Sequence, residues 1–270
     1  MALFDIIDEI TEKQIVKTET GDNRIFGVVI GIVTDNYDVA MKGRVCVNIP
    51  VRDVNANNLK WARVAMPSSG KKWGHYFLPE IGDQVLVAFE QGNIEKPYII
   101  GCVPRSNDRF LTQSVDEKNE LKRIVTKNGN TLEFKDAAEG EGTKDVISMY
   151  TPKNEHQIIL DNEKKKILIS DKKGDNCIDI RSEAGKMIVR AKENLTVEVG
   201  DSIKITMNAS TGTVKLDCKK LKVEASEGTN VETSGNMKFS GGNVGISASA
   251  ALKAESSGTT NISGAAVTIG

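Results

Sequence analysis

The stretch Leu195-Thr196-Val197-Glu198-Val199-Gly200-Asp201-Ser202-Ile203-Lys204-Ile205-Thr206-Met207 alternates apolar and polar side chains on both sides of a glycine. Alternation with a period of two is typical of a β-strand that buries one face, and glycine is typical of the turn between two strands. The stretch therefore predicts a repeating unit of a strand of about five residues and a turn of about three.

The same unit recurs through the second half of the chain, where most strands begin seven to nine residues after the last. A short period with one apolar face predicts a solenoid, because a single short strand cannot bury its face. A unit of about eight residues fits one face of a triangular prism, so we expect three identical chains to wind together, each supplying every third strand. This predicts an obligate homotrimer with three-fold symmetry. The first apolar residues of the units are Ile158, Ile167, Ile178, Met187, Leu195, Ile203, Val214, Leu221, Met237, Val244, Leu252 and Val267, with weaker strands at Val231 and Ile262.

The first half of the chain has a different composition, which changes near residue 110. Ten of the 13 aromatic residues lie at or before Phe110, and five of the six prolines lie between Pro50 and Pro104. Five short strands in about 80 residues predict a small closed barrel of the OB type. The predicted strands are Ile25–Val33, Gly43–Ile49, Lys60–Ala65, Gln84–Phe89 and Tyr98–Val103.

The sequence thus predicts an all-β chain, with a five-stranded OB-type barrel followed by an intertwined trimeric triangular β-helix. The predicted parts are an N-terminal docking segment (1–23), the barrel (24–104), a linker (105–123) and the β-helix (124–270).

Charge and targeting signals exclude several classes of protein. The 36 basic and 37 acidic side chains give a net charge of −1, so no overall field attracts nucleic acid or anionic lipid. Residues 1–8 lack the basic and apolar regions of a signal peptide, which predicts synthesis in the cytoplasm. The cysteines form no CxxC pair, so we expect four reduced, buried thiols and no metal site: Cys46, Cys102, Cys177 and Cys218.

A family resemblance rests on Trp61-Ala62-Arg63-Val64-Ala65 and on the motif Pro79-Glu80-Ile81-Gly82-Asp83 with the strand that follows it. With residues 43–47 and 97–101, these stretches resemble the OB domain of the Vgr-type spikes, a family that includes the baseplate assembly protein V of contractile phage tails. Residues 125–134 resemble the start of the family's spike, and the chain from Ile158 is similar to its triple-stranded β-helix. The motif residues with an expected structural role are Trp61, Pro79, Glu80, Gly82, Asp83, Phe89, Gly92 and Gly101.

The resemblance implies a structural role without an enzymatic activity or a cofactor. The chain would be the central spike of a contractile phage tail or of a tail-like, bacteriocin-like injection particle. Its homotrimeric needle would puncture a target cell envelope when the sheath contracts.

The resemblance also implies two protein partners, one at each end. A separate trimeric hub protein is expected at the N-terminal end, because no large hub domain precedes the barrel, and a PAAR-like tip protein is expected at the other end. The hub would contact Leu3, Phe4, Ile6, Ile7 and Ile10, which follow helical spacing and could instead pack on the barrel, and the tip protein would contact Val267, Thr268, Ile269 and Gly270. No histidine follows His156, so we expect no metal at the tip.

Candidate catalytic residues have simpler interpretations. We expect Asp83 to cap a tight turn rather than to act with Glu80 as an acid–base pair. His75 and His156 lie far apart, and neither is near a recognisable nucleophile.

Three other functions remain as alternatives. An OB barrel could bind single-stranded nucleic acid through its aromatic residues and Lys71-Lys72, but we favour a role in the barrel core and in subunit contacts for Trp61, Trp73, Tyr76 and Phe77. A single-chain β-helix could act on polysaccharide, although no acid pair recurs on one face. A trimeric adhesin would carry a secretion signal.

Overall fold

In the computed structural model, the described residues are 23–50 and 59–268. The chain divides into two units, the first ending at Asp217 and the second comprising Cys218–Gly270. The first unit is built almost entirely of β-strands. No helix in the described part of the chain is long and apolar enough to cross a membrane.

The first unit begins with a closed five-stranded barrel in the order β1-β2-β3-β5-β4, which confirms the predicted OB-like fold. Only β3 and β5 pair in parallel. All five predicted strands are found, although β1 starts four residues later than predicted. The strands are β1 (Val29–Asp35), β2 (Arg44–Asn48), β3 (Leu59–Val64), β4 (Gln84–Phe89) and β5 (Pro97–Cys102).

The barrel core follows the alternation seen in the sequence. Val45, Val47 and Ile49 are fully buried, as are Val85 and Val87. Val33, Ala62, Phe89, Ile94 and Ile99 complete the core. At Gly31 the strands approach so closely that an added Cβ would lie 3.0 Å from Val87 Cγ2.

A second sheet follows a linker that carries one short helix, α1 (Arg109–Thr112). Its seven strands form an antiparallel meander in which each strand pairs with its sequence neighbours. The strands are β6 (Leu121–Val125), β7 (Thr131–Lys135), β8 (Val146–Tyr150), β9 (His156–Asp161), β10 (Lys166–Asp171), β11 (Cys177–Arg181) and β12 (Lys186–Arg190).

Three further strands form a separate antiparallel sheet at the end of the first unit. They are β13 (Asn194–Val199), β14 (Ile203–Asn208) and β15 (Thr213–Asp217).

The prediction that one chain supplies only every third strand is wrong for residues 121–217. Here sequence neighbours pair with each other because tight turns reverse the chain between them. Lys165, Gly174 and Gly185 have the positive φ angles that such turns need, at +50°, +71° and +59°.

The second unit consists of segments without helix or strand, separated by regular bends. The chain bends at 226–227, 234–235, 241–242, 249–250 and 257–258, which is the period expected from the sequence. Val231 and Ile262, the weaker predicted strands, lie in segments between bends. Lys253 and Glu255 form an ion pair at 2.5 Å, as residues two apart on one side of an extended chain can. Within the described residues 218–268, no segment pairs with another as a β-strand.

Candidate interaction surface

The Pro79–Asp83 motif forms a turn that leads into β4. The Glu80 N–H donates to Asp83 Oδ2 at 2.8 Å, and the Asp83 N–H donates to the Glu80 carbonyl at 3.0 Å. Gly82 has a φ of +95°, which favours glycine, and its N–H donates to the Val33 carbonyl on β1. The geometry confirms that Asp83 caps a turn.

Glu80 also connects the barrel to the second sheet. Lys127, in the turn between β6 and β7, donates to Glu80 Oε2 at 2.8 Å. This hydrogen bond and the charge of Glu80 raise the pKa of Lys127 above its usual value. The barrel and the proximal end of the sheet, meaning the end at β6, therefore touch through a charged pair.

The remaining motif residues lie in the barrel wall or in its loops. Trp61 is half-buried in β3 opposite Cys46, and Phe89 is buried at the end of β4. Gly92 has a φ of +75°, and an added Cβ would lie 3.2 Å from the Phe26 ring. Gly101 pairs with Leu86 between β4 and β5.

Three of the four aromatic side chains assigned to the barrel core lie elsewhere. Trp73, Tyr76 and Phe77 are 66%, 69% and 61% exposed, so the core part of their predicted role is wrong, and the part in subunit contacts stays a prediction. They belong to the connection between β3 and β4, which folds into a small hairpin where the Gly70 N–H donates to the Trp73 carbonyl at 2.7 Å. Their aromatic character predicted burial, but it could not distinguish a core from an exposed surface.

One face of the seven-stranded sheet carries two rows of apolar side chains that cross every strand. We call them the apolar rows. The cross-strand register places side by side Ile124, Leu132, Met149, Ile158, Ile169, Ile178 and Val189 in one row, and Phe134, Ile147, Leu160, Ile167, Ile180 and Met187, preceded by Lys122, in the other.

The burial of this sheet is the reverse of that in an ordinary globular domain. Many residues of the apolar rows are exposed, from 36% at Phe134 to 64% at Met187. On the opposite face, polar residues are only 6–9% exposed: Thr131, Asp161, Ser170 and Asp179. An extended apolar face that is open to water indicates an interaction surface.

Ion pairs cover the opposite face. Arg123 Nε lies 2.9 Å from Glu133 Oε2, and Arg181 Nη2 lies 3.1 Å from Asp179 Oδ2. The hydrogen bond from Arg181 holds the pKa of Asp179 below its usual value despite desolvation, and Lys166 adds to the effect. Arg123 Nε and Asp179 Oδ1 are nevertheless buried without a hydrogen bond, so the ion pairs compensate the charges of this face only in part. The apolar face remains open to water.

A groove of about 880 Å³ lies over part of the apolar face. It runs beside the turns at one edge of the sheet, from Ile124 to Val189. Phe77 of the barrel connection also lines it. The exposed aromatic hairpin is thus continuous with the groove.

The turns at this edge hold one another through ion pairs. Lys172 contacts Glu155 at 2.9 Å, and Lys192 contacts Asp175 at 2.9 Å. The hydrogen bond from Lys172 and its charge lower the pKa of Glu155. Successive strands are therefore connected at their ends as well as through the backbone.

The three-strand sheet separates its faces completely. One face carries Leu195, Val197, Ile205, Met207, Val214 and Leu216 next to one another, and the other carries Thr196, Glu198, Lys204, Thr206, Lys215 and Asp217. Val214 is 71% exposed, so this apolar face is also open.

The described histidines and metal-ligating side chains are dispersed. His75 is within 3.1 Å of Ser68 in the small hairpin. Across 23–50 and 59–268, no three or more His, Cys, Asp or Glu side chains converge as they would around a metal ion. The four cysteines are free, but the expectation that all are buried is wrong, since Cys102 is exposed.

The two predicted docking segments fall mostly outside the described residues. This holds for Ile269 and Gly270 at the C-terminal end and for all the expected hub contacts, Leu3, Phe4, Ile6, Ile7 and Ile10. Val267 and Thr268 are described, and both are exposed.

Comparison with known proteins agrees with the barrel. Residues 29–103 match the injector OB domain of type VI secretion systems and phage baseplates. The type VI secretion system spike protein VgrG1a of Pseudomonas aeruginosa is 26% identical over 221 residues, or 70% of this chain and 33% of the relative. VgrG3 of Vibrio cholerae is 30% identical over 132 residues, or 44% and 12%. VgrG1c of Pseudomonas aeruginosa is 32% identical over 89 residues, or 30% and 12%.

The aligned part of this chain thus spans a third or less of the length of these relatives. The matched family covers the barrel, and the alignment with VgrG1a is long enough to include much of the strand-rich part as well. Residues 29–103 therefore form the injector OB domain of type VI secretion systems and phage baseplates, and the chain is similar to the Vgr-type spike proteins of type VI secretion systems.

Proposed function

We propose that this chain forms a homotrimeric needle at the centre of a contractile phage tail or tail-like injection particle, and that it punctures a target envelope without catalysing a reaction. The observation that carries the proposal is the pair of apolar rows across β6–β12, which one chain leaves open to water. Three copies with these rows turned toward a common axis would bury all of them. Full burial of a large aliphatic side chain contributes roughly 1.5–3 kcal/mol, so half-exposed rows of this length would add on the order of ten kcal/mol per chain.

The second unit supports the same assembly. Its segments repeat with the period of the strands, yet they do not pair with one another within the described residues. Backbone N–H and C=O groups need hydrogen-bond partners when they are buried. Copies of the same chain offer segments of matching period, so winding three chains together would supply the partners and close the strand edges.

A needle of this kind would be stiff. Strands in a sheet are about 4.8 Å apart, so the seven strands β6–β12 extend over roughly 30 Å. The ion pairs between successive turns resist shear between strands. A tightly wound β-structure of this kind should also unfold slowly.

The proposal includes partners and a location. The barrels would face a trimeric hub protein, and residues 267–270 would carry a PAAR-like tip protein. The chain would be made in the cytoplasm and assembled into the baseplate of the particle. Particles purified with their neighbours should show additional density beyond Gly270, and a bare end there would refute the proposed tip contact.

The alternative functions have less support. Nucleic-acid binding would need a basic groove beside the aromatic side chains, and Lys71-Lys72 is the only basic pair in the hairpin at residues 68–75. A polysaccharide-active enzyme would need paired carboxylates in an open groove. The groove here is lined by one of the apolar rows together with polar side chains near the turns, and its one carboxylate, Asp171, is hydrogen-bonded to Asn176.

Electron cryomicroscopy of the purified chain tests the proposal. We expect three-fold symmetric rods with three barrels at one end. Single chains with an uncovered sheet would contradict it. Salt-dependent retention on single-stranded DNA or glycan turnover would favour one of the alternatives.

A further inference from the structure

The hairpin between β3 and β4 presents aromatic side chains in a fixed arrangement. The His75 N–H donates to the Ser68 carbonyl at 2.9 Å, and the Trp73 indole covers Gly70, where an added Cβ would lie 2.7 Å from the ring. Trp73 and Tyr76 are nevertheless about two-thirds exposed. Ordered, exposed aromatic residues are typical of the central contacts of protein interfaces.

The hairpin lies beside the proximal end of the needle sheet. Phe77 lines the groove along one edge, which we call the first edge, and Glu80 pairs with Lys127 in the first turn of that edge. The hairpin is therefore held next to the surface that the trimer would bury.

The opposite edge of the sheet, which we call the second edge, carries an acidic turn. This turn joins β7 to β8, so it lies close to the level of the turn between β6 and β7 on the first edge. Residues 136–145 connect β7 to β8 and contain four carboxylates, Asp136, Glu139, Glu141 and Asp145. Lys118 and Lys144 lie 3.8 and 3.9 Å from Glu139, and Lys122 lies 3.6 Å from Asp136, whereas Glu141 has no ion pair in the described part of the chain. Lys71 and Lys72, at the tip of the aromatic hairpin, are exposed and have no ion pair in the described part of the chain. The two edges of one sheet are separated by the length of a five-residue strand, about 17 Å, so the lysines are far from the acidic turn of their own chain.

In a ring of three copies, the first edge of one sheet meets the second edge of the next. We propose that the hairpin at residues 68–77 clasps a second copy of this chain, with Trp73 and Tyr76 packed on its sheet edge and Lys71-Lys72 facing its acidic turn at 136–145. This inference rests on the proposed trimer. It assigns the exposed hairpin to subunit contact rather than to a hub protein, a nucleic acid or a membrane.

Tryptophan fluorescence tests the clasp directly. The chain has two tryptophans, so Trp61→Phe leaves Trp73 as the only one. We expect Trp73 in the assembly to emit at shorter wavelength, and to be quenched less by acrylamide, than in the same chain carrying Leu216→Asp, which should not assemble. Light scattering on each sample gives its mass.

The outcomes separate the two proposals. A trimer in which Trp73 is shielded supports the clasp. A trimer in which Trp73 is as accessible as in the Leu216→Asp chain overturns the clasp and leaves the spike intact. A trimer whose Trp73 becomes shielded only with anionic phosphatidylserine vesicles also overturns it, in favour of a membrane contact. A monomer in all conditions overturns both the trimer and the clasp.

Truncation and charge exchange give a second test. Tyr76→Ala should speed dissociation of the trimer by about tenfold or more, because interface aromatic residues typically contribute that much to affinity. Tyr37→Ala is the matched control, since Tyr37 is 74% exposed elsewhere on the barrel.

The pair Lys71→Glu and Lys72→Glu should also weaken the trimer, and adding Glu139→Lys and Glu141→Lys should restore it. Equal effects of the two tyrosine variants, or no restoration, would contradict the contact.

Discussion

At the scale of single residues, Asp83 decides how the chain enters β4. Its carboxylate accepts the Glu80 N–H at 2.8 Å within a turn that also binds β1. The sequence alone predicts this role, because an Asp after a glycine commonly caps a turn. The pairing of Glu80 with Lys127 was not predictable, because 47 residues separate the two and no sequence motif around either residue indicates its partner.

Replacement of Asp83 tests the cap. Asp83→Ala removes the acceptor and should destabilise the barrel by about 1 kcal/mol, whereas Asp83→Asn keeps an acceptor oxygen and should lose less. Thermal unfolding followed by circular dichroism measures both. Identical unfolding temperatures for the two variants would show that the hydrogen bond contributes little.

At the scale of elements, the alternation of apolar and polar residues predicts on which face of the sheet a side chain lies. It does not predict which strands pair with each other. Val45, Val47 and Ile49 are buried together as predicted, and the apolar rows have the expected period. The meander of β6–β12 was not predicted, because strand pairing depends on how each turn closes. Trp73 shows the same limit, since apolar character alone does not tell a core from an interface.

Charge placed on one face of the three-strand sheet should prevent assembly. Leu216→Asp puts a carboxylate on the open apolar face, where the trimer would bury it three times around the axis without a partner. Thr206→Asp adds the same charge to the opposite face and should leave the trimer intact. Light scattering distinguishes the two. A Leu216→Asp trimer with unchanged heat resistance would refute the proposed packing.

Acid should weaken the seven-stranded sheet. Glu155 and Asp179 have pKa values below the usual ones because Lys172 and Arg181 hydrogen-bond to their charged forms. A carboxylate with a depressed pKa stabilises the fold above its unfolded-state pKa, and this stability is lost as the pH falls from about 5 through the lower folded-state pKa. We expect the unfolding temperature to fall over that range, and to fall less steeply in Glu155→Gln. A flat profile between neutral pH and about pH 3 would contradict the role of these pairs.

At the scale of the whole molecule, the seven-stranded sheet exposes its apolar face and buries polar residues of the other face. This is the observation that most strongly indicates a protein partner. A single chain hides polar residues such as Asp179 and Ser170 while it exposes the apolar rows. The second unit adds regularly spaced segments that stay unpaired over residues 218–268. Both features are explained if the folded unit is an assembly of three chains.

The mass of the purified chain in solution tests this claim most directly. Light scattering before and after mild heating in detergent should give about 88 kDa, three times the chain mass of 29.3 kDa, because an intertwined trimer separates slowly. A mass of 29.3 kDa in native buffer would contradict the trimeric needle and would make glycan turnover by a single-chain β-structure the next assay.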